Sequence, residues 1–187
     1  MNLVRSFIAV DLDAPDVVKR IEEVQREVVR LGLDMKLVER ENLHITLRFL
    51  GEIPQQRVND VIRALSTVKF AKFEMRLADL GVFPDLSRPR VLWVGVSQGA
   101  EALANLANAV RAAVDKYAEH EEEREFTPHL TIGRIKSSRN VDRLGDLIRR
   151  YKGVEFGVVV VDKVKLKRSV LTPRGPIYSD LFVVPLT

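Results

Sequence analysis

The sequence predicts an α+β fold of two pseudo-symmetric lobes, each an antiparallel-rich β-sheet with helices on its outer face, with an active-site cleft between the lobes. Three observations predict this fold. Strand-like and helix-like hydrophobic patterns alternate along the chain. Their order in the first half recurs in the second half. A short pattern, His-x-Thr-x, occurs once in each half, as HITL starting at His44 and as HLTI starting at His129.

The first half begins with a predicted strand over residues 3–11, which is rich in apolar side chains. After Pro15, a residue that favours a helix start, apolar residues recur every three to four positions as far as Gly32. Apolar and polar residues then alternate over residues 43–49, which is typical of a strand with one buried face. The remaining predicted elements of this half are a helix over residues 56–68 and strands over residues 70–80 and 90–97.

The second half repeats this order of elements. It contains a long predicted helix over residues 100–117, a strand over 128–135, a helix over 141–151, and strands over 154–167 and 177–186. The helix after each His-x-Thr-x pattern is similar in the two copies, VNDVIRAL in the first and VDRLGDLIRR in the second. We therefore predict a single bilobal domain over residues 1–187, built from duplicated halves of about 1–85 and 90–187. The terminal strands either stay in their own lobe or are exchanged between the lobes.

Composition restricts the class of protein. The 187 residues are 46% hydrophobic and 30% charged, which is enough apolar content for a compact core. The chain has no cysteine, which excludes disulfides, thiolate metal sites and a cysteine nucleophile, and which is compatible with the cytoplasmic location that we expect. No apolar run approaches the roughly 20 residues that cross a bilayer, and residues 7–10 are too short for a secretory signal. The high charge content predicts a heat-stable protein, and the net charge of +4 favours a polyanionic partner.

Two of the three histidines lie in the repeated pattern. Because side chains on a strand alternate between its faces, His44 shares a face with Thr46, and His129 shares the corresponding face with Thr131. Imidazole titrates near neutral pH, so one histidine can accept a proton from a nucleophile while the other donates one to a leaving oxygen. Threonine hydroxyls can donate to phosphate oxygens. The pattern predicts metal-independent phosphodiester cleavage in the cleft. The alternative is a pair of half-buried histidines that make structural hydrogen bonds.

The sequence around both patterns resembles the two-histidine phosphoesterase superfamily. FLGE follows the first pattern, FTPHLTIGR frames the second, and the similarity runs from RSFIAVDL near the start to SVLTPRGPIYSDLFVVPL near the end. Within the superfamily the chain is most similar to the RNA 2',3'-cyclic phosphodiesterases, also called 2',5'-RNA ligases. The resemblance implies hydrolysis of a 2',3'-cyclic phosphate at an RNA end to a 2'-phosphomonoester. Water would be the nucleophile, the ribose 3'-oxygen would leave, and no metal or other cofactor would take part.

The family pattern also implies roles for the two histidines, with His44 as the proton donor and His129 as the proton acceptor. With an RNA 5'-hydroxyl in place of water, the same site would join ends through a 2',5' linkage and would also reverse that joining, and in the reverse reaction the histidines would exchange roles. The implied partner is RNA with a cyclic phosphate end, with tRNA fragments among the candidates. We expect a monomer that does not associate with membranes.

Beside the two threonines, two arginines are candidate phosphate-binding residues. Strict alternation places Arg48 on the face of His44, while its counterpart in the second copy, Gly133, would make room for substrate. Arg134 lies where the resembling family usually has arginine, but alternation turns it away from the cleft unless the strand bulges. For both arginines the alternative is an exposed side chain at the end of a strand.

Other side chains have weaker signals. Lys163, Lys165 and Lys167 alternate with apolar residues and form a predicted basic row, which either contacts RNA phosphates or is a solvated face or a protected sheet edge. Tyr178 and Phe83 are either base-stacking platforms or core residues.

Three alternatives to the implied function stay open. In the first, the same chemistry acts on a different substrate class, namely a cyclic nucleotide, a 2',5'-oligoadenylate or an ADP-ribose cyclic phosphate. In the second, the chain is a non-catalytic RNA-end binding protein. The third, a histidine metal site, has little support, because no carboxylate or third histidine accompanies either pattern at ligand spacing.

Overall fold

The computed structural model describes residues 2–122 and 125–187, and this part of the chain forms nine strands and four α-helices. The strands are β1 (Leu3–Asp11), β2 (Met35–Leu37), β3 (His44–Pro54), β4 (Phe73–Phe83), β5 (Val91–Gln98), β6 (His129–Ile135), β7 (Glu155–Val161), β8 (Lys163–Thr172) and β9 (Gly175–Pro185). The helices are α1 (Pro15–Arg30), α2 (Gln55–Leu65), α3 (Ala100–Val114) and α4 (Leu144–Arg150).

The strands form two antiparallel sheets. The first sheet has the order β3-β1-β8-β9, and the second has the order β2-β6-β5-β4-β7. Each His-x-Thr-x pattern begins a strand, β3 in the first sheet and β6 in the second. The predicted α+β class is confirmed.

The helices form because their apolar residues lie on one face. In α1, Pro15 occupies the first helical turn, and the buried residues Val17, Ile21, Val24 and Val28 follow at helical spacing. These side chains pack into one continuous hydrophobic cluster that also takes in buried residues from both sheets and the other three helices. The core therefore lies between the helices and one face of each sheet.

Each sheet combines strands from both halves of the chain. β4 comes from the first half, and it lies in the second sheet between β5 and β7. β8 and β9 come from the second half, and they complete the first sheet next to β1. The two sheets are thus connected by several crossings of the chain.

One predicted strand differs from the structure, and one strand of the structure was not predicted. The single strand predicted over residues 154–167 is wrong, because Asp162 separates β7 from β8 and these strands belong to different sheets. Residues that favour strands continue on both sides of Asp162, so hydrophobic patterning does not mark the break. β2 was not predicted, because three residues are too few to show a period. No helix within residues 2–122 and 125–187 has both the length and the apolar character needed to span a bilayer.

Candidate active site

A cavity of about 780 Å³ is lined by strands of both sheets. Five of the six predicted site residues line it: His44 and Thr46 from β3, and His129, Thr131 and Arg134 from β6. The sixth, Arg48, is not part of its lining. The two His-x-Thr pairs therefore share one cavity, as the sequence predicts.

Both histidines are held by the same kind of contact. His44 Nδ1 lies 2.6 Å from the Asn42 carbonyl oxygen, and His129 Nδ1 lies 2.6 Å from the Thr127 carbonyl oxygen. A carbonyl oxygen can only accept, so each Nδ1 carries a proton and donates it. In the neutral ring Nε2 is then the unprotonated nitrogen, available to receive a proton. On His44, Nε2 lies 3.0 Å from Thr46 Oγ1.

Aromatic rings fix the planes of the two imidazoles. Tyr178 meets His44 edge-on with ring centroids 5.3 Å apart, and the Phe7 ring lies 5.0 Å from His44. On the other side of the cavity, Phe83 meets His129 edge-on at 4.9 Å. Both predicted aromatic residues, Tyr178 and Phe83, thus contact a histidine. Base stacking by either residue stays a prediction.

The surroundings of the two histidines lower the pKa of both. Burial is the largest cause for His44, the bond to the Asn42 carbonyl opposes it, and Lys167 and Arg134 lower the pKa further while Asp11 raises it. Burial also lowers the pKa of His129, Thr127 opposes this, and Arg134 adds to the lowering. Both rings are therefore mainly neutral at pH 7 in the free protein. A bound phosphate would favour the protonated form of either ring because its charge is negative.

A bulge in each of the two strands decides which arginine reaches the cavity. In β3, Thr46 pairs with Ala9 and Arg48 with Ile8, so the intervening Leu47 has no partner on β1. In β6 the corresponding unpaired residue lies between Thr131 and Gly133. The extra residue reverses the alternation in both strands. Arg134 consequently turns into the cavity, as the bulge alternative allowed.

The predicted position of Arg48 is wrong for the same reason. Its side chain is 3% exposed, and Arg48 Nε donates to Asp115 Oδ1 at 2.8 Å. Its two terminal nitrogens donate to the carbonyl oxygens of Phe49 and His120 at 2.9 Å. Arg48 therefore ties the segment after α3 to β3 and does not face the cleft. The predicted role of Gly133 is also wrong, because a Cβ there would lie 2.3 Å from Met35 Sδ, so this glycine makes room for β2.

These contacts predict that Arg48 stabilises the fold. We expect Arg48→Met to lower the free energy of unfolding by about 1–3 kcal/mol, because methionine keeps the apolar stem but loses three partly buried hydrogen bonds. Chemical denaturation measures this change. The matched control is Arg134→Met, whose side chain lies in the cavity and which should leave the stability nearly unchanged. Equal stability of the two variants would show that the buried contacts of Arg48 contribute nothing.

Phe49 and Arg5 are among the cavity residues that were not predicted. Phe49 lines the cavity, and the guanidinium of Arg5 lies 4.7 Å from its ring centre. Phe49 occupies the position in β3 that Arg134 occupies in β6. A bulge in β3 at the same position as the one allowed for Arg134 in β6 would have predicted that Phe49 faces the cleft.

The predicted basic row is not a row of free cations. Lys165 and Lys167 both form ion pairs with Asp11 and Asp180. Lys163 lies within 4.0 Å of both Asp13 and Asp162. Among residues 2–122 and 125–187, no three or more His, Asp or Glu side chains come together in a way that could hold a metal ion.

Comparisons with known proteins agree with this geometry. The sequence model of the family described as "LigT like Phosphoesterase" matches twice, over residues 10–93 and 94–178. A protein of Aquifex aeolicus named RNA 2',3'-cyclic phosphodiesterase is 42% identical over 184 residues, which cover 96% of this chain and 95% of the relative. A protein of the same name from Aeropyrum pernix is 40% identical over 168 residues, which cover 90% of this chain and 96% of the relative.

The fold also matches a solved structure. The crystal structure of TT0787 from Thermus thermophilus superposes with a TM-score of 0.78 at 29% identity, covering 97% of both chains. The source organisms are thermophiles, which fits the heat-stable protein that the composition predicts. With two family matches that together span most of its length, and with both His-x-Thr pairs in one cavity, this chain belongs to the LigT-like phosphoesterases of the two-histidine superfamily.

Proposed function

We propose that the protein hydrolyses 2',3'-cyclic phosphates at RNA ends to 2'-phosphomonoesters, without a metal ion or other cofactor. The observation that carries the proposal is the shared cavity, in which His44 and His129 are each held through Nδ1 by a backbone carbonyl. This leaves Nε2 of both rings for proton transfer. The names of the Aquifex and Aeropyrum relatives support the substrate class.

In the proposed reaction His129 Nε2 accepts a proton from water, and the water oxygen forms a bond to phosphorus. The bond from phosphorus to the ribose 3'-oxygen breaks, and His44 donates its Nε2 proton to that oxygen. The products are a 3'-hydroxyl and a 2'-phosphate. Binding of the phosphate supplies the charge that protonates His44, whose pKa is lowered in the free protein. The family resemblance supports this division of roles.

The threonines and Arg134 would hold the phosphate. Thr46 lies next to His44 Nε2, and Thr131 and Arg134 line the same cavity. Hydroxyl and guanidinium donors stabilise the negative charge that builds on the non-bridging oxygens in the transition state. With an RNA 5'-hydroxyl in place of water, the same groups would form a 2',5' linkage with both histidines in the same roles. His44 and His129 would exchange roles only in the reverse reaction, the cleavage of that linkage.

The chain architecture fits this proposal. We infer one bilobal domain made of duplicated halves, acting as a monomer on RNA ends such as those of tRNA fragments. The two matches of one family model to successive halves support the duplication. Each half would then contribute one histidine and one threonine to the site.

Incubation with an oligonucleotide that ends in a 2',3'-cyclic phosphate, in the presence of EDTA, tests the proposal. We expect full conversion to a product with a 2'-phosphate, which is identified by chromatography against 2'- and 3'-phosphate standards. Loss of activity in EDTA would contradict the metal independence. Binding without turnover would instead indicate an RNA-end binding protein. Turnover of cyclic mononucleotides, 2',5'-oligoadenylate or ADP-ribose cyclic phosphate, but not of the oligonucleotide, would indicate a different substrate class.

A further inference from the structure

Four charged side chains form a closed ring on the first sheet, which we call the charge ring: Asp11 of β1, Lys165 and Lys167 of β8, and Asp180 of β9. Lys165 Nζ lies 3.0 Å from Asp11 Oδ2 and 2.8 Å from Asp180 Oδ2. Lys167 Nζ lies 2.8 Å from Asp11 Oδ1 and 3.4 Å from Asp180 Oδ1. Each carboxylate therefore bridges both ammonium groups, and the charges alternate around the ring.

The two lysines of the ring are more enclosed than those of an ordinary surface ion pair, whereas the Asp180 side chain is 41% exposed. The Lys167 side chain is 6% exposed and that of Lys165 is 18% exposed. Hydrogen bonds from Lys165 to Asp180 and Asp11 raise the pKa of this lysine. Burial alone would raise the pKa of Asp180, but Lys165 and Lys167 lower it. A lysine as enclosed as Lys167 requires such compensation, because an unpaired buried charge is costly.

The charge ring lies beside the residues that hold His44. Asp11 pairs directly with His44 across β1 and β3. Lys167 pairs with Phe7 across β1 and β8, and the Phe7 ring is 5.0 Å from His44. Tyr178, which meets His44 edge-on, lies two residues before Asp180 on β9. The strands that the ring links thus also carry the residues around His44. Its pairing partner Asp11 and its aromatic neighbour Phe7 lie on β1, and its other aromatic neighbour, Tyr178, lies on β9.

We propose that the charge ring is a positioning device for His44, which fixes the strands around the imidazole and sets how readily it takes up a proton. All four members of the ring are positioning residues in this proposal, because they act through neighbouring groups and none of them lines the cavity. The consequence for the reaction depends on the proposed role of His44 as proton donor. The predicted effect of the ring on the pKa of His44 does not depend on that role.

The charged and titratable groups around His44 predict the direction of each effect. They are Asp11 from β1, Lys167 from β8, Arg134 from β6 and the Tyr178 hydroxyl from β9. Lys167 lowers the pKa of His44 and Asp11 raises it. With two carboxylates and two ammonium groups, the intact ring is balanced. Removing a lysine leaves an excess negative charge, which should raise the pKa of His44, and removing Asp180 leaves an excess positive charge, which should lower it.

Two variants with opposite changes of charge test the proposal by NMR titration of the imidazole protons. Lys167→Met should shift the His44 titration to higher pH, and the nearly isosteric Asp180→Asn should shift it to lower pH. His129, which lies in the other sheet and whose pKa is lowered by burial and by Arg134, is the internal control in the same spectra. If Lys167→Met does not fold, Lys165→Met replaces it, because this more exposed lysine bonds to the same two carboxylates.

A purely structural ring would reduce stability in both variants without moving the His44 titration in opposite directions. An unchanged His44 titration, or shifts of the same sign in both folded variants, would overturn the proposal. Opposite shifts in a protein that does not hydrolyse cyclic phosphates would leave the ring's role intact and contradict only the proposed function.

Discussion

Replacing either His44 or His129 by alanine is expected to lower kcat/KM for an RNA 2',3'-cyclic phosphate end by about 10³-fold or more. A positioned general acid or base contributes about 10²–10⁴-fold, and the loss of one partner also leaves the other without its counterpart. Steady-state hydrolysis of a cyclic-phosphate oligonucleotide measures the effect. Circular dichroism should show that both variants keep the wild-type fold, because each truncated side chain lines a cavity and is not part of the hydrophobic core.

The third histidine provides the matched control for these variants. His120 is exposed and pairs only weakly with Glu119, 3.7 Å away, so His120→Ala should keep wild-type activity. The double variant of His44 and His129 should be little worse than either single variant, because an acid and a base that act in one step are not additive. A wild-type kcat/KM in either single variant would contradict the proposed acid and base catalysis.

Replacing Arg134 by methionine is expected to have two separate effects. kcat/KM should fall by about 10²-fold, because a cationic donor to the developing phosphate charge is lost. The pKa of both histidines should rise, because Arg134 lowers the pKa of His44 and of His129 in the intact protein. The measurement is the pH dependence of kcat/KM, which should be bell-shaped for an acid and base pair.

The sign of the shift follows from the proposed roles, His44 as the acid and His129 as the base. The acid must be protonated, so activity is lost as the pH rises through the pKa of His44. The base must be neutral, so activity is lost as the pH falls through the pKa of His129. Since the loss of Arg134 raises both values, both limbs of the profile should move to higher pH. Arg48→Met, which removes a buried arginine outside the cavity, should leave both limbs in place. A profile of Arg134→Met that coincides with that of the wild type would exclude the electrostatic role.

The first residues of each motif were predictable because they precede the bulge. His44 and Thr46 obey simple alternation from the start of β3, and His129 and Thr131 do so in β6. Arg48 was misplaced because the unpaired Leu47 between it and Thr46 reverses the alternation, which a second register shift between Phe49 and Gly51 then restores. A bulge depends on pairing with a neighbouring strand, and hydrophobic periodicity in a single segment contains no such information.

The charge ring is a second feature that a single segment of the sequence could not reveal. Lys165 and Lys167 look like a free basic row in the sequence, but their partners Asp11 and Asp180 come from strands on either side of β8. Asp11 is more than 150 residues away from both lysines in the chain. Ion pairs across a sheet follow from strand order, and strand order was the part of the fold that the duplicated pattern left open.

The exchange of strands between the sheets has a mechanical consequence. The chain passes from one sheet to the other between β1 and β2, between β2 and β3, between β3 and β4, and between β7 and β8. Four chain crossings and one continuous hydrophobic core therefore connect the two sheets, and both oppose a hinge-like separation of one sheet from the other. The folded framework therefore fixes the separation of the two histidines, so that in the proposed function the RNA end would adapt its conformation to reach both of them.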